Sequence, residues 1–181
     1  MIIDGVGMRC VEPGDAAGLA EALVRNRAYM APFEPWRSEL FYTEEGQRVR
    51  IAGLLAERDE GRLFPYVLVE AATDAPVGMM NLGSVSLGPF RSGGVGYWVD
   101  REWAGRGVAT AALREVCRIA RDELRLHRVE ASTLVDNTAS QRVLTKAGFA
   151  RIGLAPGYLH INGAWRDHLL FQRLLHDDPP P

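Results

Sequence analysis

The amino-acid sequence predicts an α/β fold: a single mixed, mostly antiparallel central sheet flanked by helices, with one parallel βαβ unit. Three observations support this prediction. The 181 residues are 47% hydrophobic and 24% charged, a composition typical of a globular domain with one packed core. The apolar spacing changes after Gly61 from a helical period to a strand-like one. A strand, a long amphipathic helix and a second strand then follow one another across residues 94–135.

The part of the chain before Gly61 predicts one strand and two helices. The strand, at 8–11, leads into a helix over 16–27 that carries an apolar stripe. A loop with two prolines and several aromatic residues occupies 29–36. The second helix, at 43–58, begins at a hydroxyl residue and is followed by a glycine, as helix ends commonly are.

The remainder of the chain predicts strands that alternate with two more helices. The strands are expected at 65–70, 76–82, 94–99, 128–135, 149–154 and 166–174. The long helix, at 108–124, connects two of them, so these two strands should be parallel neighbours joined by a right-handed crossover.

A short helix is predicted after the strand that ends at 135. Its N-cap is either Asn137 or Thr138, the latter with Gln141 at capping-box spacing, and the helix ends at Gly148. The last two strands are separated by a predicted loop through Gly157, Tyr158 and Gly163.

All these elements are expected to form one domain over 1–176, followed by a disordered tail at 177–181. The net charge of −2 predicts neither a nucleic acid nor a membrane as partner. Cys10 and Cys117 are too few and too far apart for a disulfide framework or a metal cluster, which predicts no metal and a reducing compartment. Without a signal sequence or an apolar run of spanning length, the expected location is cytoplasmic. A monomer and a homodimer both remain open.

The turn before the long helix is the segment best suited to bind a ligand. Its sequence, Trp-Ala-Gly-Arg-Gly-Val-Ala-Thr at 103–110, places small residues at a helix start, where unpaired N–H groups attract a diphosphate. A tight turn that needs glycine only for its backbone angles explains the same residues, so both interpretations stay open. A P-loop nucleotidase is excluded because the one lysine, Lys146, lies elsewhere. A dinucleotide fingerprint lacks its third small residue.

Several short motifs occur in a specific order along nearly the whole chain. They are Gly-Tyr-Trp-Val at 96–99, the turn at 103–110, Asn-Thr-Ala-Ser at 137–140 and Lys-Ala-Gly-Phe at 146–149. Two further segments, 26–36 and 163–167, lie near the ends. Together these motifs resemble the GNAT superfamily of N-acetyltransferases, in particular the branch that acetylates the N-terminal alanine of ribosomal proteins.

The resemblance implies acetyl-CoA as the donor, held in a splayed cleft of the parallel unit. It assigns the pyrophosphate to the backbone amides of Ala104, Gly105, Arg106, Gly107, Val108, Ala109 and Thr110. The strand edge at Trp98 and Val99 is expected to pair with the pantetheine arm, and Asn137 to orient the cofactor or its loop. Ala104 departs from the family, which often has Gln or Arg there, so one side-chain contact is lost.

The chemistry that the resemblance implies is direct transfer of the acetyl group from a thioester to a neutral amine. Ser140 is then the candidate proton donor to the departing thiolate. Its alternative role is to satisfy an orphan amide in the first turn of a helix. The sequence leaves the general base open among Glu130, Asp136, His160, Asp167 and a water-relayed base.

The acceptor side is predicted from aromatic residues in the segments that match the family. The candidates are Tyr29, Phe33, Trp36 and Tyr97, with Asp167 from the last hairpin, and each aromatic alone serves equally well as a core or loop anchor. The predicted function is acetyl-CoA-dependent N-acetyltransfer to a primary amine, first of all a protein N-terminal α-amine. A small-molecule amine is the alternative acceptor, and a catalytically silent acyl-CoA-binding module is the alternative class.

Overall fold

Seven strands form one sheet in the computed structural model, which describes residues 1–179. The strands are β1 (Val6–Cys10), β2 (Phe64–Glu70), β3 (Pro76–Ser86), β4 (Ser92–Val99), β5 (Arg128–Leu134), β6 (Ala150–Ile161) and β7 (Ala164–Leu174). The helices are α1 (Ala16–Met30), α2 (Glu44–Asp59), α3 (Val108–Asp122) and α4 (Thr138–Lys146). The strand order is β1-β2-β3-β4-β5-β7-β6, with β4 and β5 parallel and the other neighbours antiparallel. The predicted fold class is confirmed.

Helices cover both faces of the sheet because successive strand residues point into two different cores. On one face, Val67 of β2 and Met79 of β3 are buried against Ile51 of α2, together with residues of α1. On the other face, the next residue of β2, Leu68, is buried in a core that includes Leu113 of α3. This alternation is the period of two that strand geometry imposes.

Strands β4 and β5 pair along only part of their lengths. Three parallel pairs join them, from Ser92–Arg128 to Gly94–Glu130. Beyond Gly94, β4 continues to pair with β3, whereas β5 continues to pair with β7 as far as Leu134. The remaining edge of β4, residues 95–99, therefore faces a cleft instead of a neighbouring strand within the described chain.

The predicted loop between the last two strands is wrong in its extent. Gly157 and Tyr158 lie within β6, which runs to Ile161, and only Asn162 and Gly163 form the turn to β7. Both turn residues have positive φ angles, 46° and 84°. An Asn-Gly pair adopts these angles readily in two-residue hairpins, so this dipeptide was the stronger turn signal in the segment.

The C-terminal tail is described only in part. Residues 177–179 belong to no helix or strand, and Pro180 and Pro181 lie outside the described residues. The predicted domain boundary at 176 and the predicted disorder of the tail stay predictions. No helix within residues 1–179 is long and apolar enough to cross a membrane.

A buried carboxylate, that of Asp100, joins the end of β4 to helix α1. Asp100 is 1% exposed, and its Oδ2 accepts hydrogen bonds from Asn26 Nδ2 (2.8 Å) and from Arg25 Nε (2.9 Å) and Nη2 (2.7 Å). Its Oδ1 accepts the N–H of Glu102 at 2.9 Å. Asn26 Oδ1 in turn accepts the N–H of Arg101 at 2.8 Å. Helix α1 therefore holds both the end of β4 and the residues that follow it.

Asp100 stays ionised although it is buried. Burial alone would raise the pKa of Asp100, because it penalises the charged form. The hydrogen bonds from the Glu102 amide, Asn26 and Arg25 outweigh burial, so the pKa lies below its ordinary value. A carboxylate of this kind stabilises the fold above the pH at which the unfolded chain titrates, and this contribution is lost as the pH falls through the folded-state pKa.

Substitution of Asp100 by alanine should lower the free energy of unfolding by about 3 kcal/mol at neutral pH. The reason is that Asn26 and the Glu102 amide would lose their buried acceptor. Urea unfolding followed by circular dichroism measures this difference. The control is Asp122→Ala, which removes an exposed carboxylate bonded to Arg121 and should change little.

Wild type and Asp100→Ala also test whether the ionised form of Asp100 stabilises the fold. The stability gap between wild type and Asp100→Ala should be fully present above about pH 5, where an ordinary aspartate is almost fully ionised, and should shrink in stronger acid. A gap that is equally large at about pH 2 would show that the charged form is not what stabilises the fold.

Candidate active site

The start of helix α3 presents free backbone N–H groups. Gly107 is the N-cap residue, and no side chain caps the helix there. None of the amides from 105 to 110 donates a hydrogen bond to another residue within 1–179. Free amides at the positive end of a 15-residue helix suit phosphate oxygens. Residues 104–107 are exposed, while Val108 is buried beneath them.

The backbone angles of this turn require glycine. Gly105 has a φ of +76° and Gly107 a φ of +86°, in the left-handed region that L-residues avoid. A Cβ added to Gly105 would meet no atom within 4 Å, so the space in front of this backbone is open. The two interpretations that the sequence left open are therefore compatible, since the angles demand glycine and the amides remain free for an anion.

The open edge of β4 and the free amides adjoin the same cleft. Trp98 and Val99 are the last two residues of β4 and lie on the stretch that has no partner in β5. Asp100 and the short 3₁₀ turn Arg101–Trp103 connect this edge to the turn before α3. The strand edge and the helix start, which the sequence assigned to two parts of one cofactor, thus lie side by side.

The hydroxyl groups of Ser140 and Tyr97 form a hydrogen bond across the cleft. Ser140 lies in the first turn of α4, Tyr97 lies on β4, and their oxygens are 2.8 Å apart. Burial raises the pKa of Tyr97 to about 12, although the bond to Ser140 acts in the opposite direction. Tyr97 therefore stays protonated at neutral pH and can donate its proton to Ser140 Oγ.

The N-cap of α4 is Asn137, one of the two caps that the sequence allowed. Its Oδ1 accepts the N–H of Ser140 at 3.1 Å. Gln141 does not complete a capping box with Thr138, because its Nε2 donates instead to carbonyl groups at the end of β5, that of Val135 at 2.9 Å among them. The hydroxyl of Ser140 thus bonds Tyr97 and is not used as a cap, and its role as proton donor stays a prediction.

Each of the four side chains considered as general base already has a protein contact. They are Glu130, bonded to Arg128 at 3.2 Å, Asp136, bonded to Arg166 at 3.3 Å, Asp167, which accepts the Gly157 N–H at 2.8 Å, and His160, whose ring centroid is 5.7 Å from that of Trp165. None of these contacts identifies a base, and the assignment stays open.

The predicted acceptor residues are separated by the structure. Trp36 is 77% exposed and lines a cavity of about 130 Å³ between the segment at 31–43 and the tip of the β6–β7 hairpin. Tyr29 and Phe33 are exposed near this cavity without lining it. Tyr97 turns to the opposite face of the sheet, where it contacts Ser140. The role of this set in acceptor binding stays a prediction.

The sequence analysis missed two groups of residues around the site. One is the carboxylate of Asp100 with its partner Arg25, which fixes the cleft. The other is Glu34 and Arg37, which line the cavity beside Trp36. The available signal for the second group was a pair of charges inside an otherwise aromatic, proline-containing loop. No group of three or more His, Cys, Asp or Glu residues that could hold a metal occurs within residues 1–179.

The fold and the site together define a class, N-acetyltransferases of the GNAT type, with which the chain shares an open mixed sheet that contains a parallel strand pair. The chain belongs to this family, because its residues 6–150 match the profile described as "Acetyltransferase (GNAT) domain".

Three relatives support the same assignment. The chain is 34% identical to the probable N-acetyltransferase YjcK of Bacillus subtilis over 171 residues, 94% of each protein. It is similar to the structure of ribosomal-protein-S5-alanine acetyltransferase from Vibrio fischeri, with a TM-score of 0.93 and 33% identity over 99% of this chain and 97% of that one. It is also similar to Mycobacterium smegmatis RimJ in complex with CoA-disulfide, with a TM-score of 0.89 and 35% identity over 93% of this chain and 81% of that one.

Substitution of Gly105 by alanine should weaken CoA binding by about tenfold or more, because a methyl group would stand where phosphate oxygens approach the amides. Gly61→Ala is a matched control, since Gly61 has a φ of +72° and an equally open surrounding. Both variants should lose about 1–2 kcal/mol of stability, as left-handed alanine does.

Calorimetric titration with CoA measures the difference between these two glycine variants. Equal CoA affinities for both variants would rule out the turn at 103–110 as the pyrophosphate site.

Proposed function

We propose that this N-acetyltransferase moves the acetyl group of acetyl-CoA to a protein N-terminal α-amine, of the ribosomal-protein-alanine type. The observation that carries the proposal is the open edge of β4 next to the free amides of residues 105–110. An extended pantetheine arm can add to such a strand edge, and the pyrophosphate suits the helix start. The ribosomal-protein-S5-alanine acetyltransferase at 33% identity supports the choice of acceptor.

The transfer is a direct displacement. A neutral amine attacks the thioester carbonyl, a C–N bond forms, and the oxyanion of the tetrahedral intermediate is stabilised by a backbone amide of β4 at 97–99. The C–S bond then breaks, the nitrogen loses a proton to water, and the sulfur leaves as a thiolate. In this scheme Ser140 gives its proton to the thiolate and recovers one from Tyr97, whose oxygen is 2.8 Å away. Tyr97 is then reprotonated from water, which took up the proton of the nitrogen.

The acceptor's own acidity favours an α-amine over a lysine side chain. An α-amino group has a reference pKa of about 7.7–8.0, so the neutral form costs only about 1 kcal/mol at neutral pH. A lysine with a pKa of about 10.4 would cost about 4.6 kcal/mol. Because no side chain is assigned as general base, the amine that needs little assistance is the better match to this site.

Assays with peptides and small amines test this function. Peptides that begin with alanine are incubated with acetyl-CoA, the released thiol is followed, and the acetylated position is read by mass spectrometry. We expect acetylation at the free N-terminus and none on the same peptide with a blocked terminus. Release with small amines alone would favour a metabolite as acceptor. Tight CoA binding without release to any amine would indicate a silent acyl-CoA-binding module.

The proposal also includes the cellular compartment of the protein and its binding partners. Cys10 and Cys117 are both free thiols, which fits a reducing compartment such as the cytoplasm. The partner is the acceptor itself, and a net charge of −2 provides no general attraction to nucleic acid.

Ser140→Ala should lower kcat by about a hundredfold, because the thiolate would lose its proton donor. Tyr97→Phe should show a smaller loss, since it removes only the group that resupplies Ser140. CoA affinity should be nearly unchanged in both, because the free amides of 105–110 remain. Thr145→Ala, which removes a hydroxyl further along α4, is the control. If CoA affinity falls as much as kcat in Ser140→Ala, the residue has a structural role only.

A further inference from the structure

The segment between α1 and α2, residues 31–43, holds charged groups without partners. Glu34 is half-buried and forms no ion pair within residues 1–179, whereas Glu39 in the same segment is paired with Arg27 at 2.6 Å. Arg37 has its Nε buried with no acceptor in the described chain. Polar groups that are removed from water without a partner are costly.

Neighbouring side chains hold these groups in place. The guanidinium groups of Arg37 and Arg50 both lie over the ring of Phe41, with Cζ at 4.8 and 5.4 Å from its centroid. Arg50 Nη1 also donates to Oε1 of the fully buried Gln47 at 3.1 Å. The charges of both arginines act on Glu34 without forming an ion pair with it in the described chain. The two guanidinium groups are thus held in place by Phe41 and Gln47.

These charges open onto the cavity of about 130 Å³ described above. Its walls include Glu34, Arg37, Trp36 and Tyr42 from the 31–43 segment, and Asn162 from the tip of the β6–β7 hairpin. Glu34 and Arg37 therefore border the same small space as an aromatic residue and a hairpin tip. A ligand that fits must offer a hydrogen-bond donor and an acceptor close together.

A chain of side-chain contacts runs from Arg37 to strand β4 on the face of the sheet that α2 covers. Arg37 shares the ring of Phe41 with Arg50. Arg50 Nη1 lies 3.3 Å from Met79 Sδ, and Met79 pairs with Trp98 of β4. Trp98 Nε1 and Asn81 Oδ1, on the same face of the sheet, are buried with no hydrogen-bond partner in residues 1–179.

We propose that Glu34 and Arg37 select acceptors with a carbonyl group next to the reacting amine, which is the α-aminoacyl unit of a peptide N-terminus. The Glu34 carboxylate accepts a hydrogen bond from the amine N–H, and Arg37 donates one to the neighbouring carbonyl oxygen. The lone pair of the neutral nitrogen stays free to attack the thioester. A simple alkylamine or a lysine side chain lacks this oxygen and is disfavoured. This selection role rests on the proposed function.

The electrostatics of Glu34 agree with this role. Burial raises its pKa, and the charges of Arg37 and Arg50 lower it to a smaller extent. A carboxylate that has lost part of its hydration gains from an N–H donor that replaces the missing water.

The test compares two acceptors that differ only in the carbonyl-bearing group, alaninamide and 2-aminopropane, at equal concentrations of free base. Wild-type protein should prefer alaninamide. Arg37→Met should reduce this preference by about tenfold or more, and Glu34→Gln should raise the KM for alaninamide by about tenfold, as expected for lost hydrogen bonds to charged groups. Matched controls are Arg48→Met and Glu45→Gln, an exposed pair on α2 that should change neither value.

Binding provides a second readout that does not depend on turnover. Calorimetric titration of the CoA complex with alaninamide should show weaker binding in both variants, with CoA affinity unchanged. Glu34→Asp and Arg37→Lys keep the charges but alter their reach, and they replace the first variants if those do not fold.

An unchanged preference in Arg37→Met, or an unchanged KM in Glu34→Gln, would overturn the proposal, and a preference for free alanine over an alanyl peptide would refute a peptide source. If wild type acetylates no α-amine, the proposed function itself fails. If it acetylates α-amines and the variants match the controls, only the selection role fails.

Discussion

The limited pairing of β4 and β5 is the constraint on which the rest of the structure depends. Beyond Gly94 the two strands no longer pair with each other, although β4 stays paired with β3 and β5 with β7, and the facing edge of β4 is left without a partner in the described chain. Asp100 then binds the end of β4 to α1 through buried hydrogen bonds. An open strand edge usually invites unwanted pairing. Here the edge lies beside a helix start with free amides, which is the arrangement that the proposed acetyl-CoA site requires.

Features that depend on neighbours in sequence could be predicted from the sequence. The strands, the amphipathic helix α3 and the parallel unit follow from apolar spacing, and Gly105 and Gly107 follow from the turn that α3 requires. The contacts of Asp100 could not be predicted in this way, because its partners Arg25 and Asn26 lie 75 and 74 residues away. No local pattern links such distant residues, and only the packed sheet brings them together.

In the candidate site, too, some features follow from the local sequence and others depend on residues that are distant in sequence. Local spacing allowed both Asn137 and Thr138 as the cap of α4, and it allowed Ser140 to serve the backbone. The choice depends on Tyr97, a residue from another strand, which takes the Ser140 hydroxyl as its partner and leaves capping to Asn137. The lack of an ion-pair partner for Glu34 could likewise not be predicted from the sequence, because it depends on where the basic residues lie in the folded chain.

The hairpin of β6 and β7 has a consequence for the evolution of proteins with this architecture. Its tip, Asn162, lines the cavity beside Trp36, while the pairing of β7 with β5 lies towards the other end of the strand. A two-residue turn tolerates exchange or insertion without a shift in that distant pairing. Proteins of this architecture can therefore change their substrates through substitutions in the β6–β7 turn, while the reaction with the thioester stays the same.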